Sequence, residues 1–325
     1  MNALANVAIH SSQFPEKVRH DLLQSLRTRK IAHRFHYDSV KQTQKWLALH
    51  QQFSPSRNDE DCQAVYEQSF RAAVKRIKSK RVHLIGLGCG GGQKDTRLLK
   101  LLKQAGKEVF YTPCDVAVAM TLVARRTALT AVPERNCFPL VCDLEAVGEL
   151  PSIFNQRITR KAARIVTFFG MIPNSEPQVI LPKLASLVGT KDTLLFSANL
   201  APGKDYTAGV KRILPQYDNV PTRDWLMTFL LDLGIEKQDG ELKFEIETKG
   251  GLERVVANFR FKRARRVGIE DKSFPFKPDE TIRLFFSYRY TPERVRQSLS
   301  HHKLNIREQW VTQSGEEGVF LCGKS

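Results

Sequence analysis

The sequence predicts an α/β fold: a parallel, doubly wound sheet with a second α+β segment inserted into it. Three observations carry this. Apolar strand-like runs alternate with amphipathic helix-like segments from residue 81 to 200. The stretch "LIGLGCGGGQKDTRLL" packs five glycines into seven residues (86–92) between the first such strand and the first such helix. The chain then closes on "EQWVTQSGEEGVFLCGK", two strand-like runs around a turn, which reads as an antiparallel hairpin.

Before the alternation begins, "PEKVRHDLLQSLRTR" and "SVKQTQKWLALHQQ" space their apolar residues for short helices. "FSPSRNDEDC" then reads as a loop whose polar end caps a helix over "DEDCQAVYEQSFRAAVKRIKSK". The alternating part runs "RVHLIGLG", "TRLLKLLKQAG", "EVFYTPCD", "VAVAMTLVARRTAL", "CFPLVCD", a short helix-like stretch, "ARIVTFFG", "EPQVILPKLASLVG" and "DTLLFSANL". Right-handed crossovers turn such a series into a Rossmann-like sheet with helices on both faces. Past residue 200 the pattern changes: "ELKFEIETKGGLERVVANFRFKRARR" alternates around Gly250 and Gly251 as a β-hairpin, and "DETIRLFFSYRY" and "TPERVRQSLSHHKL" follow as strand and helix. A sheet that starts parallel and ends in an antiparallel pair is typical of methyltransferases that use S-adenosylmethionine.

Composition narrows the class. The 325 residues are 42% hydrophobic, and no apolar run approaches the roughly 20 residues that span a bilayer, so a soluble globular protein with no membrane role is expected. The first residues lack a basic and then apolar signal pattern, which makes the cytoplasm the expected location. The six cysteines show neither CxxC pairs nor zinc spacing and read as reduced core thiols, with no metal site expected. A net charge of +17 favours an anionic partner and keeps nucleic acid open, although the basic residues are dispersed.

The glycine stretch fits three ligand types unequally. It fails the Walker spacing GxxxxGK[ST]. Gly86, Gly88 and Gly91 satisfy the dinucleotide pattern GxGxxG, and Gly86, Gly88 and Gly90 satisfy GxGxG of methyltransferases. Asp115 ends the second strand about 25 residues on, where a carboxylate can accept both ribose hydroxyls. Asp143 ends the third, where a carboxylate can accept from an adenine amino group while Leu144 packs on the ring. Both aspartates at successive strand ends point to an adenosine ligand, although either alone is commonly a helix cap. In the fourth strand's loop, "FFGMIPNSEP", Asn174 can bond a substrate amine or simply serve a turn. The Asn/Asp-Pro-Pro-aromatic signature of nucleic-acid amino-methyltransferases is absent.

Taken in order, "FHYDSVKQTQKWLALHQQFSPSR", "GLGCGGGQKDTRLL", "YTPCDV", "LVCDLEAV", "FFGMIPN", "LPQYDN" and "LFFSYRYTPERV" resemble the histidine Nα-methyltransferases of ergothioneine biosynthesis, whose relatives act on other amino acids such as prenylated tryptophan. The resemblance implies a Rossmann-like class I domain over 62–200 plus 288–325, a substrate domain over 1–61 plus 201–287, and an amino-acid substrate between them. It implies S-adenosylmethionine as cofactor, held by Gly86, Gly88, Gly90, Lys94, Asp115, Asp143 and Leu144, with Gly170 at the methyl-transfer loop. It assigns the substrate carboxylate to Tyr37 and Tyr217, the α-amino group to Asn174 and the side chain to Ser287.

Two departures stand out. A family tyrosine near amine and cofactor is replaced, across a one-residue gap, by Phe53, and the glutamate that meets the imidazole is replaced by Phe285. The expectation is therefore an N-methyltransferase for the α-amino group of a small amino-acid-like acceptor other than histidine, acting as a monomer. The competing readings are a nucleic-acid or protein methyltransferase using the basic surface, and a non-catalytic module of the same fold.

Overall fold

The computed structural model describes residues 4–156 and 162–324. The chain opens with β1 (Ala8–Ile9), α1 (Pro15–Thr28), α2 (Val40–Phe53), the helical turn α3 (Pro55–Asn58) and α4 (Glu60–Arg76). Next come β2 (Arg81–Leu87), α5 (Gln93–Gln104), β3 (Glu108–Asp115), α6 (Val118–Ala128), β4 (Leu140–Val141), α7 (Leu150–Phe154), β5 (Ala163–Phe168), α8 (Pro177–Leu187) and β6 (Thr193–Asn199). The remainder is α9 (Tyr206–Ile213), α10 (Val220–Asp232), β7 (Gly240–Lys249), β8 (Leu252–Phe261), β9 (Arg265–Ile269), β10 (Lys272–Phe276), β11 (Thr281–Tyr288), α11 (Pro292–Ser300), β12 (Leu304–Val311) and β13 (Glu317–Lys324).

Contacts divide the chain into two units: residues 1–13, 54–200 and 290–325, and residues 14–53 and 201–289. In the first, the strands run in the order β1-β4-β3-β2-β5-β6-β13-β12 among the described residues. β2 pairs in parallel with both β3 and β5, so successive crossovers leave it in opposite directions. Such a reversal opens a crevice at the carboxyl ends of the strands, where ligands bind in doubly wound sheets. β13 returns antiparallel beside β6 and pairs with β12, so the predicted parallel sheet with an antiparallel end is what forms. β2 is buried along nearly its whole length because α5 lays Leu98, Leu99, Leu101 and Leu102 toward the core it shares with Val82, Leu84 and Ile165.

In the second unit β8 lies between β7 and β11 in an antiparallel sheet, with β9 and β10 as a separate hairpin. β8 is buried on both faces, whereas β7 alternates toward water, as a central and an edge strand should. Leu23 and Leu26 of α1 and Trp225, Leu226, Phe229 and Leu230 of α10 share one core with Phe259, Phe261 and Ile282 of the sheet.

Several expectations need correction. Residues 4–13 and 54–61 group with the Rossmann-like unit and residues 288–289 with the second, because β1 pairs with β4 and α4 packs Cys62, Val65 and Tyr66 into the first unit's core. "CFPLVCD" forms only the two-residue β4, because Pro139 has no N–H for the ladder; Cys137 keeps a single bridge to Tyr111. "FSPSRNDEDC" is not all loop: Phe53 ends α2, and Pro55 at the first helical position starts α3. The strand read as running through "FKRARR" stops at Phe261, after which β9 and β10 form a hairpin of their own. Of the six cysteines, all free of disulfides, Cys89 is partly exposed and the other five are buried.

Candidate functional site

In the first unit, the carboxyl ends of β2, β3, β4 and β5 bring Gly88, Asp115, Asp143 and Gly170 into neighbouring strand ends and loops. After β2 the chain turns through Gly88 (φ +61°), Gly90 (φ +51°) and Gly92 (φ +73°), a left-handed backbone that side chains rarely tolerate. Cβ atoms would also collide at two of these positions: at Gly88 with Met171 Cγ at 2.4 Å, and at Gly92 with the backbone of Ala124 at 2.8 Å. Gly90 N–H donates to Asp115 Oδ2 at 2.9 Å, and Ala117 N–H donates to Oδ1 at 3.1 Å. The loop and the acidic strand end are thereby locked together. Burial raises the Asp115 pKa, while backbone N–H groups of Ala117, Gly90 and Val116 oppose the shift.

Gly86 has a different neighbour. A Cβ there would lie 2.0 Å from Asp95 Oδ2 and 3.1 Å from the Tyr111 hydroxyl. Asp95, in the first turn of α5, accepts from Tyr111 at 2.7 Å and from Thr167 at 2.7 Å, tying the helix to β3 and β5. Asp143 Oδ1 accepts from Glu145 N–H at 3.0 Å and Ala146 N–H at 3.3 Å, a cap-like turn, and Leu144 beside it is buried. Gly170 (φ +68°) has open space where a Cβ would project, and its N–H donates to Ser197 Oγ at 2.9 Å. Asn174 ends a 3-10 turn over Ile172–Asn174 in the same loop and is half-buried.

Lys94 sits at the second position of α5. Its Nζ donates to the Tyr66 hydroxyl at 2.7 Å and lies 3.8 Å from Glu317 Oε1. Burial lowers its pKa, and the Glu317 charge opposes that. Tyr66, Ser197 and Glu317 did not stand out in the sequence, because a tyrosine at a helix's apolar positions reads as core and a strand serine as filler.

These residues fit the methionine-adenosine shape of S-adenosylmethionine. The glycine turn itself contributes no side chain at Gly88, Gly90, Gly91 or Gly92. Asp115, although it accepts from backbone N–H groups, keeps acceptor capacity that would suit a ribose hydroxyl. Lys94 supplies a cation for a carboxylate, and the space above Gly170 leaves room where a methyl would face its acceptor.

The second unit gathers the remaining candidates. Phe285 is nearly buried among rings: His33 at 5.9 Å, Trp225 at 6.0 Å and Tyr217 at 6.1 Å between centroids. Tyr37 packs on His33, Trp46 and Trp225, and its hydroxyl meets His33 Nε2 at 3.0 Å. Burial pushes the His33 pKa down to about 3 and that of His36 to about 4, so both rings are neutral at pH 7. A register shift between Arg283 and Phe285 in β11 re-aims the strand, and Leu284 carbonyl accepts from His36 Nε2 at 2.6 Å. Tyr217 OH donates to Ser287 Oγ at 2.7 Å and accepts from Arg289 Nη2 at 2.8 Å. Tyr37, Tyr217, Phe285 and Ser287 thus form one cluster by direct contacts or through shared rings. Phe53 stands apart from it, 46% exposed at the end of α2. His33, Trp225 and Arg289 join the cluster without having been signalled by the sequence.

No curated protein matches the chain. Among solved structures, it resembles the magnesium protoporphyrin IX methyltransferase of Synechocystis PCC 6803 with bound SAH at 13% identity, covering 90% of this chain and 98% of that one, with a TM-score of 0.46. Mitomycin 7-O-methyltransferase gives 11% identity over 97% of this chain and 70% of that one, TM-score 0.43. The CcbJ methyltransferase of Streptomyces caelestis gives 11%, 80% and 88%, and 0.40. The fold assignment rests on the sheet order, not on these likenesses. The model of the histidine-specific, S-adenosylmethionine-dependent methyltransferases matches residues 18–324, so the chain belongs to that family and S-adenosylmethionine is its cofactor.

Proposed function

We propose that this chain methylates the α-amino nitrogen of an amino acid with an apolar or aromatic side chain, and that histidine is not its preferred acceptor. The observation that carries this is the ring enclosure around Phe285, where neutral His33, Trp225 and Tyr217 meet a phenyl group instead of a carboxylate. A site built to bond an imidazole loses on the order of 10⁴ in discrimination when its partner group is missing. An apolar acceptor loses nothing there and gains ring packing.

The cofactor, when bound, supplies an electrophilic methyl on a sulfonium sulfur. Asn174 is assigned to accept from the acceptor's N–H and so aim the nitrogen lone pair; Tyr37 and Tyr217 are assigned the carboxylate, with Arg289 behind the Tyr217 hydroxyl. With the cofactor bound, its methyl would pass to the nitrogen with the sulfonium taking back the S–C electron pair, and the amine proton would leave to water. Most of the acceleration comes from holding donor and acceptor at near-attack distance, so the residues need only orient and exclude water. The acceptor is a free small molecule in this reading, and the enzyme works as a cytoplasmic monomer. Among the described residues no helix is long and apolar enough to cross a membrane.

The test is a cofactor-turnover assay across amino acids that include histidine and tryptophan, on the wild type and Phe285→Glu. An aromatic or large apolar acceptor should exceed histidine by about 10² or more in kcat/KM, and the variant should shift toward histidine by a similar factor. Histidine as the fastest wild-type substrate overturns the proposal. Failure to bind S-adenosylhomocysteine at millimolar concentration removes the methyl-transfer reading altogether.

A further inference from the structure

Tyr66, on α4, lies outside every strand end and loop assigned to the cofactor, yet its hydroxyl is bonded to Lys94 of that set. It is 4% exposed. The hydroxyl donates to Glu317 Oε1, at the start of β13, and accepts from Lys94 Nζ at 2.7 Å. A phenol has one proton and two lone pairs, so Glu317 takes the proton and Lys94 one lone pair, which fixes the hydroxyl's direction. Its ring also lies under the ammonium, with Lys94 Nζ 4.0 Å from the centroid. Lys94, Tyr66 and Glu317 are therefore members of one hydrogen-bonded chain.

We propose that Tyr66 is a positioning residue for the methyl donor: it holds Lys94 aimed at the donor's carboxylate. The inference rests on the cofactor assignment above. Without the hydroxyl, Lys94 Nζ, already 3.8 Å from Glu317, is free to close on that carboxylate as an ion pair. A lysine so paired turns from the ligand. Loss of a hydrogen bond that orients a ligating group weakens binding on the order of tenfold.

The test is calorimetric binding of S-adenosylhomocysteine and of 5′-methylthioadenosine, which shares the adenosine but lacks the amino-carboxyl end. Tyr66→Phe keeps the ring and removes only the hydroxyl. It should weaken S-adenosylhomocysteine about tenfold and leave methylthioadenosine within about twofold. Glu317→Asp, which withdraws the acceptor that orients the hydroxyl, should show the same selectivity at about threefold, and it carries the test if Tyr66→Phe does not fold. Equal losses for both ligands, as a merely structural role would give, or no loss for either, overturn the proposal while wild-type binding keeps the cofactor reading intact. If the wild type binds neither ligand, both fall.

Discussion

At the scale of single residues, Gly86 shows how the same letter answers to two demands. Its place in GxGxG marks the cofactor turn, while in three dimensions its missing Cβ makes room for the Asp95 carboxylate. That carboxyl is 3% exposed, and burial raises its pKa from 3.8 to about 6 against the bonds from Tyr111 and Thr167. A carboxyl with a folded value above its unfolded one binds its proton more tightly when folded, so stability falls as pH rises from about 4 to about 6 and then levels. Asp95→Asn keeps an acceptor for one hydroxyl and offers a donor to the other. It should abolish that decline and be more stable than wild type at pH 7 by on the order of 2 kcal/mol. Urea unfolding between pH 4 and 7 checks both the slope and its loss. Asp115 and Asp143 were legible because a carboxylate at a strand end is a local signal. Tyr66 was not, because only its partners make it polar in function.

At the scale of elements, local chemistry accounts for most boundaries. α4 starts where Asp59 accepts from Asp61 N–H at 2.9 Å and Cys62 N–H at 3.5 Å. Asp59→Ala should cost about 1 kcal/mol, read as a lower urea midpoint with an unchanged m value. The strands of the first unit were readable from their length and apolar continuity, since a parallel sheet covered on both faces leaves them no polar side. The elements that escaped are those whose pairing is decided elsewhere. The β9–β10 hairpin is short and basic. Its turn passes through Glu270 at φ +52°, and its approach is held by Asp239, which accepts from Arg263 Nε at 2.6 Å and also meets Arg265. Nothing in "RFKRARR" announces a carboxylate more than 20 residues upstream.

At the scale of the molecule, the net charge of +17 sits largely on exposed side chains, with many acids already committed, as Glu67 is to Arg71 and Arg97. Like charges in excess repel across the surface and are screened by salt. The thermal midpoint should therefore rise by on the order of a few degrees between 50 and 300 mM salt, while turnover of a zwitterionic amino acid stays nearly flat. A steep loss of nucleic-acid affinity over the same range would instead favour a polyanionic substrate. The sequence by itself determined the alternation of strands and helices over residues 81–200, the glycine turn, the aspartates that follow the second and third strands and the family, because each is written in the periodicity or chemistry of a few adjacent residues. Only the tertiary structure decided that Tyr66 meets Glu317 across 251 residues, that Gly86 yields to Asp95, and that His33, Trp225 and Phe285 enclose one another. Local patterns encode which face of an element is buried. Which side chain it is buried against depends on how distant strands and helices pack.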